Sequence, residues 1–96
     1  MSPNVAMPRL RSLIHQIEAG EDLRACSHEA REIRTGLLER AKETHKVDYF
    51  EAVNALQNAV GNLDLQSPAS RAVATKYIDD AIAFLLNVAD HGPLVN

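Results

Sequence analysis

The last long segment of the chain, from Ser67 to about Ala89, constrains the fold more than any other feature. It reads SPASRAVATKYIDDAIAFLLNVA, and helices favour serine at the N-cap and proline at the first helical position. Gly92-Pro93 predicts a stop shortly afterwards. Apolar residues cover well over half of the circumference: Val73, Ala74, Tyr77, Ile78, Ala81, Ile82, Phe84, Leu85, Leu86 and Val88. Such breadth is typical of a helix at the centre of a structure.

Two amphipathic helices are predicted in the first half of the chain. The first begins at Pro8, after an N-terminal tail of residues 1–7, and ends at Gly20. Its apolar residues follow a one-faced helical spacing: Leu10, Leu13, Ile14 and Ile17. Asp22 is a suitable N-cap for the second helix. The second helix carries a heptad-like seam: Leu23, Cys26, Ala30, Ile33, Leu37 and Ala41.

A third helix is predicted to begin at Asp48. Asp48 and Glu51 have the spacing of a capping box, and Val47 is placed to act as its hydrophobic staple. The apolar seam follows at helical spacing: Tyr49, Val53, Leu56, Val60 and Leu63. No formal charge occurs between Ala52 and Leu63. We therefore expect this outer face to be covered, either by the last helix or by another subunit.

These segments predict an all-α fold, a small four-helix up-down bundle formed by a single domain over residues 8–91, with a C-terminal tail of residues 92–96. A chain of 96 residues has few helices with which to cover so apolar a last helix. We therefore predict that self-association completes the bundle and that the chain is a homo-oligomer. The residues predicted at the subunit interface are Tyr77, Ile78, Phe84 and Leu85.

The composition limits the classes of function. With 10 basic and 13 acidic residues the net charge is −3, which argues against bulk attraction to nucleic acid. No apolar run approaches the roughly 20 residues of a membrane span. One cysteine and an N-terminus without a signal-peptide pattern predict a cytoplasmic protein. Cys26 and His28 point about 200° apart on a helix, so we predict no metal site, and no cofactor is predicted.

The leading functional hypothesis is a non-enzymatic helical oligomer that binds a protein partner or an anionic small molecule. Arg24, Arg31 and Arg34 project from the second helix, and guanidinium groups are suited to carboxylate and phosphate. Asp79 and Asp80 interrupt the apolar last helix. At least one of them must reach water, a cation or a ligand, because a buried unpaired carboxylate is too costly.

The segment Ala72–Leu85 resembles the final helix of the phage-encoded sponges that sequester cyclic oligonucleotide signals. The likeness consists of a small and apolar lead-in, a basic or polar pair, an aliphatic residue, two polar residues and a small residue. Those sponges are all-helical homo-oligomers, so the resemblance implies an anti-defence role. No upstream motif of that family is present, and no binding residue is transferred from it.

An enzymatic alternative rests on Arg40 and His45. Arginine, four intervening residues and histidine is a spacing that resembles the helical ribonucleases of the HEPN class. In such enzymes the arginine would hold phosphate charge and the histidine would transfer a proton, usually within a dimer. The residue after Arg40 is Ala41, where these motifs often carry a polar residue. The other interpretation is that both residues are solvated at the end of the second helix.

Overall fold

A computed structural model describes residues 1–88 in full and residues 89–95 as the end of the last helix. The chain forms four helices: α1 (Pro3–Glu18), α2 (Leu23–Thr44), α3 (Val47–Leu65) and α4 (Pro68–Val95). No strand occurs within residues 1–95. The predicted all-α four-helix up-down bundle is confirmed, because short connections between successive helices make them antiparallel neighbours.

The four helices form a closed ring around the core. Contacts join α1 to α2, α2 to α3, α3 to α4 and α4 back to α1, and the described residues make none across either diagonal. The prediction that the last helix is central was wrong. Its flanks pack on α3 and α1, and its outer side faces solvent with Val73 and Leu86 exposed. The broad apolar surface of α4 thus reflects contact with two neighbouring helices, and not burial on all sides.

The first helix begins five residues before the predicted start. Pro3 occupies the first helical turn after the N-cap residue Ser2, and Pro8 lies inside the helix. An interior proline forfeits one backbone hydrogen bond, so the sequence pattern favoured a start at Pro8. Burial of Ala6 and Met7 in the core offsets this loss. Residues 3–7 are therefore part of the bundle and not a tail.

The turn between α1 and α2 follows the predicted chemistry. Gly20 has a φ of 82°, its N–H donates to the Ile17 carbonyl, and the Glu21 N–H donates to the Gln16 carbonyl. This pair of bonds is a Schellman motif, which satisfies carbonyls at the end of α1. The Asp22 side chain then accepts a hydrogen bond of 3.0 Å from the Arg24 N–H and caps α2, as predicted.

All six seam residues predicted on α2 are buried. Gly36, on the α1 side of this helix, is a site of close approach. The Met1 amino group donates to the Gly36 carbonyl at 3.2 Å, and a Cβ at position 36 would lie 2.9 Å from the Met1 Cβ. A glycine in mid-helix costs about 1 kcal/mol relative to alanine. Here it provides the space into which the start of the chain packs.

The start of α3 corrects the capping-box prediction. The helix begins at Val47, its N-cap residue is Lys46, and no side chain caps it. Asp48 therefore lies in the first turn, where a carboxylate still favours the positive end of the helix dipole. Val47 is exposed and forms no staple. The N-cap therefore lies two residues before the predicted Asp48, directly after the left-handed His45, with a φ of 56°, at which α2 ends.

The most extensive seam of the bundle joins α3 to α4. Ala52, Ala55 and Ala59 are buried on the side of α3 opposite the residues that bond to α2. Ala74 and Ala81 are buried on α4. Small side chains let two helix axes approach closely, and these two helices share the most extensive contact of the fold.

Of the two predictions for the ends of α4, the one for its start is confirmed and the one for its end is wrong. Ser67 caps the helix as expected, because the Ser70 N–H donates to its hydroxyl oxygen at 3.2 Å and Pro68 occupies the first turn. The helix continues to Val95, past the stop predicted at Gly92-Pro93. A proline constrains the residue before it but does not by itself determine where a helix ends. The predicted tail of residues 92–96 is thus helical through Val95, and Asn96 lies outside the described residues.

Candidate binding surface

A polar network joins the first half of α2 to the end of α3. Asp64 accepts a hydrogen bond of 2.7 Å from the Ser27 hydroxyl and a charge-assisted bond of 2.6 Å from Nη2 of Arg31. Ser27 is buried, whereas the Arg31 side chain remains 50% exposed. Asp64 therefore orients Arg31 along the surface without removing it from solvent.

Arg34 is held in the same way one turn further along α2. Its Nη1 donates to Oε1 of Gln57 on α3 at 2.6 Å. Seven residues separate Ser27 from Arg34 on α2, and seven separate Gln57 from Asp64 on α3, so both bonds share one antiparallel register. The two arginines are thus positioned by partners on the neighbouring helix rather than by their own.

The third predicted binding residue, Arg24, points in nearly the same direction. It precedes Arg31 by two helical turns, which places the two side chains about 20° apart around the axis. Arg24 is exposed, and its side chain makes no hydrogen bond or ion pair within the part of the chain whose side chains are described. The structure therefore brings all three predicted arginines to one side of α2.

The acidic residues of α2 lie on its other flank. Arg9 of α1 donates to Glu29, with 2.6 Å between Nη2 and Oε1, and lies 3.6 Å from Glu32. The hydrogen bonds that Arg9 donates to Glu29 raise the pKa of its guanidinium. His28 also approaches Glu32 at 3.3 Å. The α1 side of the helix is thus occupied by internal ion pairs, and the α3 side presents cations.

An exposed aromatic residue follows the arginines along the same edge. Phe50 is 39% exposed, and Val53 is half-buried. The register set by Arg34 and Gln57 places Leu38 opposite Val53. We call the surface formed by Arg31, Arg34, Leu38, Phe50 and Gln57 the α2–α3 face. The sequence did not indicate Phe50 as a functional residue, although its position outside the heptad seam was a usable signal.

Two of the four predicted interface residues are internal. Ile78 and Leu85 are fully buried in the core of the chain itself, so they offer no surface to a second subunit. Tyr77 and Phe84 are only partly buried and pack against the edge of the core. The prediction treated two faces of α4 as one, because Ile78 and Leu85 lie on the core side of the helix and Tyr77 and Phe84 lie at its edge.

Arg40 and His45 are not joined by any hydrogen bond in the structure. Nε of Arg40 is buried without a hydrogen-bond partner among the described side chains, and Nη1 lies 3.9 Å from Glu43. His45 is exposed at the left-handed end of α2. Arg40 thus lies partly inside the bundle, while His45 lies exposed at the end of α2.

A shallow groove of about 310 Å³ lies between α1 and α4. It is lined by Ile17, Glu18, Pro68, Arg71, Ala72 and Thr75. Arg71 donates to the Ile17 carbonyl at 3.0 Å and to the Glu21 carbonyl at 3.4 Å. A cation at the carbonyl end of a helix stabilises it, so Arg71 acts here as a cap for α1.

No three His, Cys, Asp or Glu side chains among the described residues are grouped as metal ligands would be. None of the helices, over the same residues, combines the length and the apolar character of a membrane span.

Cys26 is buried in the core, and burial raises the pKa of its thiol. We expect iodoacetamide to alkylate it at least about tenfold more slowly in the folded chain than in urea, because the thiolate is the reactive form. Equal alkylation rates would contradict the burial.

The raised pKa of the Cys26 thiol also predicts a pH dependence of stability. As pH rises above the ordinary thiol pKa, the thiol of the unfolded chain loses its proton before the buried thiol does, so the free energy of unfolding should fall. Urea denaturation at several pH values measures this fall, and Cys26→Ala should remove the part that the thiol contributes.

Comparisons with known proteins gave no match: no family model, no curated protein and no solved structure matches this chain. The resemblances to the cyclic-oligonucleotide sponges and to the HEPN ribonucleases therefore stay predictions.

Proposed function

We propose that this chain is a non-enzymatic binding protein that recognises an acidic segment of a protein partner through the α2–α3 face. The observation that carries the proposal is the way in which Asp64 and Gln57 hold Arg31 and Arg34 at the surface. A cytoplasmic location belongs to the same proposal, since a single buried cysteine suits a reducing compartment.

The two arginines retain most of their hydrogen-bonding capacity. A guanidinium has five N–H donors in a planar fork, and within residues 1–88 each of these side chains uses one of them. The remaining donors suit the two oxygens of a carboxylate or phosphate. Because α3 already orients both side chains, a ligand would meet them with less loss of side-chain entropy than it would meet mobile arginines.

The apolar part of the face favours a protein segment over a small ion. Phe50 is partly exposed along the edge that carries the arginines, and interface centres are enriched in aromatic residues and arginine. A segment with carboxylates on one turn and an apolar side chain on another would engage both kinds of group. A small anion would use the arginines alone.

The proposal can be tested with a library of displayed peptides selected on the wild-type chain. We expect enriched peptides to contain Asp or Glu beside Leu or Phe. Arg34→Glu should weaken their binding at least about tenfold, since a hydrogen bond to a charged group contributes about 1.5 to 3 kcal/mol. Arg11→Glu is the matched control, because Arg11 is exposed on α1 and should leave binding unchanged. Enriched peptides without acidic residues, or equal effects of the two substitutions, would contradict the proposal.

Two further arms separate the alternatives. Tight binding of inorganic phosphate or of cyclic di- and trinucleotides, lost in Arg34→Glu, would replace the protein partner by a small anion. Incubation with single-stranded RNA is expected to give no cleavage. Cleavage that disappears in His45→Ala would replace the binding proposal by the ribonuclease.

A further inference from the structure

We infer that the outer side of α4 is the interface with a second, antiparallel copy of this chain. The surface concerned, which we call the α4 stripe, consists of Val73, Lys76, Tyr77, Asp80 and Phe84. It lies on a different side of the molecule from the α2–α3 face, so the inference is independent of the proposed partner.

The α4 stripe combines apolar surface with two charges that have no partner among the side chains of residues 1–88. Val73 is 40% exposed, and Tyr77 and Phe84 are partly buried against the core. Lys76 is exposed and Asp80 is half-buried, and neither makes an ion pair or hydrogen bond among the described side chains. A cation from a second chain would stabilise the ionised form of this half-buried carboxylate, which lies between two aromatic residues.

Two-fold symmetry makes this surface complementary to itself. When two copies of α4 cross antiparallel with the axis between Ile78 and Asp79, Val73 of each copy faces Phe84 of the other. The same arrangement brings Lys76 of each copy to within one residue of the position opposite Asp80 of the other, about 1.5 Å along the helix, which a lysine side chain easily spans. One surface thus yields two apolar contacts and two ion pairs, as the isologous interface of a two-fold dimer requires.

A parallel arrangement lacks this complementarity. With the two helices side by side in the same direction, each residue would meet its own counterpart, so Asp80 would face Asp80. Like charges in direct contact disfavour an interface. The charge pattern of the α4 stripe therefore selects the antiparallel dimer.

The neighbouring surface of α3 suits the same contact. No formal charge occurs from Ala52 to Leu63, and this stretch carries a half-buried amide, Asn62. Neutral amides at an interface rim can hydrogen-bond directly or through water without the desolvation cost of charged groups.

Light scattering at micromolar concentration tests the inference. The wild-type chain is expected at about twice its mass of 10.5 kDa. Asp80→Lys and Lys76→Asp should each raise the dimer dissociation constant at least about tenfold, because each converts two ion pairs into two repulsions. Both positions have exposed surface, and circular dichroism spectra should show unchanged helix content. Combining the two substitutions should restore the dissociation constant to within about threefold of wild type.

Cross-linking tests the direction of the two helices. In a Cys26→Ala background, chains carrying Val73→Cys are mixed with chains carrying Phe84→Cys and oxidised. We expect the mixed pair to cross-link faster than either variant with itself.

Three results would overturn the inference: a monomer at these concentrations, a dimer indifferent to Asp80→Lys, or preferred cross-linking of Val73→Cys with itself. Failure of the charge swap to restore the dimer would overturn the reciprocal pairing of Lys76 with Asp80. None of these results bears on the arginines of the α2–α3 face, so the proposed function is tested separately.

Discussion

Leu85→Ala is expected to lower the free energy of unfolding by about 2 to 5 kcal/mol. Leu85 is fully buried, so the substitution removes apolar contacts and leaves a cavity among close-packed neighbours. A domain of this size has a total stability of only about 5 to 15 kcal/mol, so the loss takes a large part of it. Urea denaturation followed by circular dichroism gives the difference between variant and wild type.

The adjacent residue provides the matched control. Leu86 is also a leucine, one position later on α4, but its side chain is 43% exposed. Leu86→Ala should therefore cost much less than Leu85→Ala, within about 1 kcal/mol of wild type. A loss below about 1 kcal/mol for Leu85→Ala, or equal losses for the two, would mean that α4 presents a different face to the core.

Ala59→Leu is expected to destabilise the fold by about 1 to 3 kcal/mol or more. Ala59 is fully buried on the alanine side of α3, and close-packed neighbours leave no room for three further carbon atoms. The larger side chain must push the two helices apart or adopt a strained rotamer. The same urea denaturation measures the effect.

Asn58→Leu serves as the comparison for this overpacking. It introduces the same leucine one position earlier on α3, at an exposed site. Surface substitutions away from special features are usually within about 0.5 kcal/mol of wild type. If Ala59→Leu were as mild as Asn58→Leu, the seam between α3 and α4 would be looser than the structure indicates.

The parts of the fold predicted from the sequence are those set by local chemistry and helical period. The seam of α2, the cap at Asp22 and the turn at Gly20 were all foreseen, because each depends on residues within a few positions of one another. The start of α1 was missed, because Pro8 carries a local penalty that burial of Ala6 and Met7 offsets. Burial by a distant helix leaves no mark in the local sequence.

The position of α4 shows the same limit at a larger scale. Its pattern correctly indicated extensive apolar surface but could not say whether neighbours, solvent or another subunit would cover each side. Ile78 and Leu85 proved internal, whereas Tyr77 and Phe84 keep exposed surface. Assigning each residue to one of these environments requires the order of the helices around the core.

The candidate surface was predictable in kind and not in detail. Arginines on α2 could be singled out from the sequence, since charge and helical phase suffice to place them on one side. Their partners Asp64 and Gln57 could not, because the pairing depends on the register between α2 and α3. That register follows from a connection whose left-handed residue, His45, gave no strong signal beforehand.

The ring arrangement of the helices has a consequence for how the chain folds. Three of its four seams join helices that are consecutive in the chain, and only the contact between α1 and α4 brings distant segments together. Short loops cost little closure entropy, and a low contact order accompanies rapid folding. Helical hairpins can thus form independently, with α3 and α4 sharing the widest seam. Closure of the ring by α1 would then be the last event in folding and the first to reverse.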